Sequence, residues 1–263
     1  MERRVRKISM KSAVFVVLMS LFSAGPVRAQ SEGGLLLGVE AEKELGKNLS
    51  LNVEAGLRTR NDFKTVDRWS GSLGVEYKLT KGLKVDANYS LLYDNNREKL
   101  TDKYWRPSYW GTRHRLNASL TGSYKVGKVI RLSLRERWQY TYRPEMTTDR
   151  YYFTDYPSPQ WTGSMDGWNA TEKVRDGKGK NQLRSRLQVE YDKKKADYKP
   201  YANLELYNSW GIEKIRYTIG TDIKLNKQHS FDIYYRFQDQ KHVDESDYDP
   251  DMHYLGVSYK FKF

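Results

Sequence analysis

From about Leu35 to Phe263, apolar and polar residues alternate along the chain with a period of two. The clearest stretch is Leu83 to Tyr93. There Leu83, Val85, Ala87, Tyr89, Leu91 and Tyr93 fall on one face, and Lys84, Asp86, Asn88 and Ser90 fall on the other. Only a strand separates residues this way, because its successive side chains point to opposite sides. The pattern predicts further strands over Leu49 to Arg60, Trp69 to Leu79, Leu116 to Val126, Ile130 to Tyr142 and Leu183 to Tyr191. It continues through Ala202 to Leu206, Ile215 to Leu225, Phe231 to Phe237 and Leu255 to Phe263, with a weaker first segment from Leu35 to Leu45. No amphipathic helical stretch competes with this reading.

Tight connections such as Gly46-Lys47-Asn48, Thr80-Lys81-Gly82 and Asn226-Lys227-Gln228 alternate with longer ones. The longer set comprises Asn61 to Arg68, Asp94 to Gly111, Arg143 to Lys180 and Gln238 to Asp251, with Ser209 to Lys214 as its one compact member. Short turns at one end and long loops at the other describe an up-and-down meander. The apolar faces end in Tyr, Trp and Phe, as lipid interfaces prefer, and the opposite faces carry charges of both signs, which suits a polar lumen. Most segments run about ten to thirteen residues, as a tilted membrane strand requires, whereas soluble strands average about five or six.

The expected fold is therefore all-β: a transmembrane up-and-down antiparallel β-barrel of about 10–12 strands. Ile130 to Tyr142 fixes its inside. Turned inward, this segment places Arg131, Ser133, Arg135, Arg137 and Gln139 in the lumen and leaves only Glu136 towards lipid. Flipped, it would face three arginines to lipid at ~2–4 kcal/mol each near the midplane. One difficulty remains in the count, since the pattern gives eleven segments and bacterial single-chain barrels normally have an even number. Either the first segment lies inside the barrel or is irregular, or one strand is miscounted.

The N-terminal stretch lies outside this pattern. Arg3, Arg4, Arg6, Lys7 and Lys11 precede an apolar run from Ala13 to Ala24, and Val27-Arg28-Ala29 offers small residues at a cleavage site. This is the layout of a secretory signal, and the run is shorter than the ~17–25 residues of a spanning helix. The expected organisation is a cleaved signal peptide over residues 1–29 and a barrel over 30–263, with a long extracellular loop at 143–180. The signal holds six basic residues and one acid, so the net charge falls from +13 to +8 in the mature chain. Export argues against the nucleic-acid partner that so basic a chain would otherwise suggest. A mean hydropathy of −0.85 would file the chain as soluble or partly disordered, but an aromatic content of 14% is too high for disorder. The absence of cysteine excludes a disulfide scaffold, a thiolate metal site, a cysteine nucleophile and a lipid-modified N-terminal cysteine.

Candidate chemistry is sparse. Lumen charges are segregated: Arg115, Arg131, Arg135, Arg137, Arg184 and Arg186 come from three consecutive strands, and Glu40, Glu42, Glu44 and Glu54 from the first two. They read either as a polarised narrow pore for small anions or as a plug of salt bridges, and the small strand number favours the plug. The loop Arg143 to Lys180 carries Tyr151, Tyr152, Phe153, Tyr156, Trp161 and Trp168, which suit a binding surface or a lid packed into the mouth. Asp244, Glu245, Asp247, Asp249 and Asp251 form an acidic loop without the glycine turn and closing glutamate of a calcium site, and a solvated loop is expected. Barrel lipid hydrolases use a serine paired with a histidine two residues away. None of His114, His229, His242 and His253 is followed by serine at that spacing, and His229-Ser230 are adjacent, on opposite faces of a strand.

Two stretches and the chain end carry a family resemblance. These are Glu54 to Trp69 with Leu57-Arg-Thr-Arg-Asn-Asp62, Lys214-Ile-Arg-Tyr-Thr-Ile-Gly-Thr-Asp222 to Tyr234-Tyr-Arg-Phe-Gln238, and Met252 to Phe263. Together they resemble the domain of unknown function 2490, which implies an outer-membrane barrel of Gram-negative bacteria and carries over no catalytic residue. The end itself, Tyr259-Lys-Phe261-Lys-Phe263, resembles the C-terminal signal by which the barrel assembly machinery recognises such chains. The expectation is thus a non-enzymatic outer-membrane barrel, a narrow channel or a surface protein, in contact with outer-membrane lipid and lipopolysaccharide. It has no nucleic-acid partner, no cofactor and no metal. The alternatives are a barrel lipid hydrolase and a soluble periplasmic binding barrel.

Overall fold

A computed structural model describes residues 31–101, 103–153, 168–193, 196–241 and 249–263. The signal-peptide reading, Tyr156, Trp161, His242, Asp244, Glu245 and Asp247 lie outside the described residues. The strands in chain order are β1 (Ser31–Glu44), β2 (Leu49–Arg60), β3 (Thr65–Lys78), β4 (Leu83–Asn96), β5 (Lys99–Leu100) and β6 (Tyr104–Arg106). They continue with β7 (Tyr109–Val126), β8 (Ile130–Arg143), β9 (Met146–Phe153), β10 (Trp168–Arg175) and β11 (Lys178–Tyr191). The last four are β12 (Tyr198–Asn208), β13 (Ile212–Lys224), β14 (His229–Gln240) and β15 (Asp251–Lys262).

Eleven of these close into one barrel, in the order β1-β15-β14-β13-β12-β11-β8-β7-β4-β3-β2, and β10-β9-β6-β5 form a separate four-stranded sheet. The eleven segments of the alternating pattern are these eleven strands, so the odd count stands and β1 is a full member of the wall. Successive barrel strands pair antiparallel. An odd ring built this way must contain one parallel joint, and it lies between β1 and β15. Across it Glu40 meets Lys260 at 3.5 Å and Glu42 meets Lys262 at 2.7 Å. The Phe263 amide also donates to the Glu42 carbonyl at 3.0 Å. Both numbers rise together across the joint, as only parallel strands allow.

Several boundaries move relative to the sequence expectation. The connection expected over Asn61 to Arg68 is a short turn, with β3 already under way at Thr65. Asn61, Asp62 and Phe63 all take left-handed backbone angles (φ 52°, 51° and 71°), which tightens the reversal and frees Val66 to Arg68 for the ladder. The strand expected from Leu116 starts at Tyr109, and the segment Ala202 to Leu206 extends to Tyr198–Asn208, because backbone pairing persists where the alternation is blurred by Trp, Tyr and Pro. Within the long loop expected at 143–180, β9 and β10 pair antiparallel, and β11 begins at Lys178.

The wall is apolar outside and polar inside, the reverse of a water-soluble domain. Leu73, Leu134 and Leu187 are each more than half exposed, whereas Glu205, Gln139, Ser119 and Gln238 are buried. Aromatic residues mark the two ends of the outer face: Tyr93 and its register partner Trp69 at the end that carries the long β4–β7 connection, Tyr77, Tyr124 and Tyr198 at the opposite end. Trp69 and Tyr77 lie eight residues apart on β3, which at ~3.3 Å per residue and a ~40° tilt spans about 20 Å along the barrel axis. The misfit Glu136 does face outward, and the Ser185 hydroxyl opposite it in register donates to its carboxylate at 2.6 Å. A local partner thus satisfies the one outward acid of β8.

Candidate functional site: the lumen

The inward positions of β7, β8, β11, β12 and β13 build a basic interior. On β8, Arg135 and Arg137 point inward because Leu134, Glu136 and Trp138 occupy the outer face. On β11 the same alternation turns Arg184 and Arg186 inward between Leu183, Ser185 and Leu187. The register then sets like charges directly opposite each other: Arg137 faces Arg184, Arg135 faces Arg186, and Arg143 faces Lys178. On the other side Arg58 faces Arg68. Such pairs destabilise a sheet unless something intervenes.

Carboxylates intervene at three places. Glu205 of β12 is buried and accepts from Arg135 at 2.7 Å, from Arg184 at 2.9 Å and from the Tyr207 hydroxyl at 2.9 Å, with Arg216 at 3.9 Å. Tyr207 is itself buried, and its ring lies beneath the guanidinium groups of Arg184 (4.4 Å) and Arg216 (4.6 Å) and the Lys214 ammonium (4.9 Å). Asp67 and Asp94 hold Arg58 and Arg68, and Asp94 also pairs with Arg113 at 3.1 Å. At the short-turn rim, the buried Asp192 lies just beyond β11 and binds Lys125 (2.8 Å), Lys199 (2.6 Å) and Arg131. Burial alone would raise its pKa, but hydrogen bonds from both lysines and the charge of Arg131 bring it down to about 2.

The segregation expected from the sequence is present as two walls. Arg115, Arg131, Arg135, Arg137, Arg184 and Arg186 come from the adjacent strands β7, β8 and β11, while Glu40, Glu42 and Glu54 come from β1 and β2 across the ring. Neither wall is of one sign. Glu205 and Asp86 sit among the arginines, the latter 3.3 Å from Arg137, and Lys260 and Lys262 pair with Glu40 and Glu42. Arg131 serves the rim cluster around Asp192, away from the central arginines. Sequence reading missed Glu205, Tyr207, Lys214 and Arg216. The β12–β13 hairpin was the available signal, since its register sets Glu205 directly opposite Arg216.

The interior is not filled. An outer cavity of about 510 Å³ and an inner one of about 560 Å³ occupy the lumen. Both are lined by the same layer, Arg58, Arg68, Arg115, Arg184, Arg216 and Tyr254, so five arginines and a tyrosine mark the level where the two spaces meet. The plug expected from the strand number is therefore incomplete: eleven strands enclose more bore than the ~8-stranded barrels whose interior side chains suffice to fill. Gly256 permits one part of this lining. A Cβ there would come within 2.1 Å of the Tyr234 ring, so only glycine lets that ring lie against the wall of the inner cavity.

The remaining candidates map elsewhere. Tyr151 and Tyr152 are on β9, where Trp105 packs at a tilt against Tyr151 (5.1 Å between ring centres) and Tyr104 against Tyr152 (5.9 Å). Phe153 and Trp168 are backbone partners in register where β9 ends and β10 begins. Asp249 and Asp251 accept hydrogen bonds from Gln240, and no metal-ligand cluster occurs among the described residues. His114, His229 and His253 are each hydrogen-bonded to a tyrosine hydroxyl, of Tyr89, Tyr259 and Tyr235 respectively. At the end of β15, Tyr259 and Phe261 lie against His229, and Phe263 stacks on Phe261.

Comparison with curated proteins finds no match. Among solved structures, the chain is similar to the crystal structure of the β-domain of the Bordetella autotransporter BrkA. That similarity has a TM-score of 0.46 and 11% identity, and it covers 81% of this chain and 79% of that one. A family profile described as "Protein of unknown function (DUF2490)" matches residues 33–249, from within β1 to just before β15. The chain belongs to the DUF2490 family of proteins of unknown function.

Proposed function

We propose that the protein is an outer-membrane β-barrel without catalytic activity that acts as a narrow, anion-preferring channel. Its apolar outer wall and aromatic ends suit a bilayer, and the basic and then apolar residues at 3–24 suit a signal for export. The observation that carries the channel reading is the shared arginine layer between the two lumen cavities. Eleven cationic side chains against four carboxylates line the inner space, and guanidinium groups at a constriction lower the barrier for anions and raise it for cations. The lipid-hydrolase alternative is less well supported, because each described histidine is engaged with a tyrosine hydroxyl.

The test is reconstitution in a planar bilayer under a salt gradient. The wild type is expected to conduct in steps, with a reversal potential displaced towards that of the anion. Replacing Arg115, Arg184 and Arg216 by Gln should weaken or reverse the preference. A protein that inserts yet shows no steps refutes the channel and leaves a binding or structural barrel.

A further inference from the structure

The outer cavity holds more positive charge than the protein neutralises. Twelve cationic side chains and three carboxylates line it. Most of the cations have an acidic partner: Arg58 and Arg60 share Asp67, Arg68 and Arg113 share Asp94, Arg97 binds Glu32, Lys180 binds Glu213, and Arg184 and Arg216 share Glu205. Four do not. Among the described residues, Arg115 donates only to the Thr141 hydroxyl, Arg143 only to the Asp176 carbonyl, Lys214 sits over the Tyr207 ring, and Lys178 has no partner.

Two further features single out this group. Arg143 and Lys178 face each other directly in the β8–β11 register, and here no carboxylate separates them, unlike the like-charged pairs at Glu205, Asp67, Asp94 and Asp192. The Arg143 Nε is also buried without a hydrogen-bond partner. An unsatisfied buried N–H beside an uncompensated cation is costly, and an anion accepting from both removes the cost.

We infer that the outer mouth of the barrel is a binding site for a soluble multivalent oxyanion of the phosphate class, held by Arg115, Arg143, Lys178 and Lys214. Multivalence follows from four cations without an ion-pair partner lining one space against one further carboxylate, Asp249, an excess that a single monovalent anion would leave mostly unpaired. Oxyanion chemistry follows from the two guanidinium groups, whose planar forks match phosphate oxygens, with the two lysines as point charges. The ligand is soluble because these side chains line the interior, whereas lipid phosphates lie beyond the outer wall. A space of about 510 Å³ accommodates a small phosphorylated compound and no folded partner. The inference needs the mouth to open to water and does not depend on conduction.

Titration calorimetry of the detergent-solubilised full-length protein with inorganic tripolyphosphate tests it. Binding in the micromolar range is expected at about 0.1 M salt, weakening steeply as salt is raised. The double variant Lys178→Gln/Lys214→Gln should weaken it at least ~10-fold, since each lysine makes a charge-assisted contact. Lys81→Gln, in the turn at the opposite end, should leave it unchanged. Absence of saturable heat, or equal loss in the Lys81 variant, overturns the site. Neither Lys178 nor Lys214 belongs to the shared arginine layer, so binding without conduction refutes the channel alone, and conduction without binding refutes this site alone.

Discussion

Glu205 offers the sharpest test of how the lumen is held together. Its carboxylate is buried and lies within 2.7 Å of Arg135, 2.9 Å of Arg184 and 3.9 Å of Arg216. The substitution Glu205→Gln keeps the shape of the side chain and removes the charge. Three guanidinium groups then face one another without compensation. Removing one partner of a buried pair costs about 3–5 kcal/mol, and the open lumen spaces of about 510 and 560 Å³ beside these arginines favour the lower end, about 3 kcal/mol. Urea unfolding in detergent micelles, followed by tryptophan fluorescence and by the mobility difference between heated and unheated protein, measures the loss. A second substitution separates charge from packing. Arg184→Gln alone should destabilise, but in the Glu205→Gln background it should restore about 1–2 kcal/mol by thinning the excess charge. A loss below about 1 kcal/mol for Glu205→Gln, or further destabilisation in the double variant, would refute the idea that this carboxylate neutralises the arginine layer. The same substitution should strengthen the preference for anions in any conducting protein, so stability and selectivity move in opposite directions.

Asp192 provides a pH-dependent counterpart. Its folded pKa, near 2, is below the ordinary carboxylate value, so its contribution is full above about pH 4 and is lost as pH falls towards 2. That contribution is about 2 kcal/mol, and Asp192→Asn should remove it at neutral pH and flatten the acid limb of the stability profile. Ala87→Arg tests the outer face: Ala87 is exposed and sits between Val75 and Ala118 in register. In lipid vesicles it should cost ~2–4 kcal/mol if that face meets the bilayer midplane, and almost nothing would be lost if water covered it.

The sequence made the wall legible because the alternation of side chains is a local property. The outward position of Glu136 could be read from Arg131, Arg135 and Arg137, which lie at odd spacings from it and so share the opposite face, and the residue that satisfies it, Ser185, appears once β8 and β11 are paired. Strand ends were harder. The left-handed run Asn61 to Phe63 shortened a connection that composition suggested was long, because a backbone conformation, and not polarity, sets the length of a turn. The lumen's chemistry was legible as a list of inward charges and illegible as pairs. Glu205 lies in a short, weakly patterned segment, and three of its partners come from strands on both sides of it. Hairpin register alone recovers its neighbour Arg216, but the reach of Arg135 across β11 depends on the curvature of the closed ring. The cation excess at the mouth had no local signature, since Arg143 and Lys178 are separated by a long insertion before they face each other.

The parallel joint between β1 and β15 has a consequence for the order in which the ring forms. Glu42 and Lys262 are 220 positions apart, whereas neighbouring strands such as β1 and β2 are joined by a few residues. On a (3/2)RT ln n scale, closing the long circuit costs about 5 kcal/mol of chain entropy against about 1 kcal/mol for a hairpin. Each hairpin can zip on its own, so the chain first becomes a curled open sheet with two free margins, and closure comes last. Parallel pairing is also slightly weaker per residue than antiparallel. The Glu40–Lys260 and Glu42–Lys262 contacts therefore lie at the latch of the ring, where open sheet and closed barrel differ most, and where a strand of another chain would have to intrude to keep the barrel from shutting.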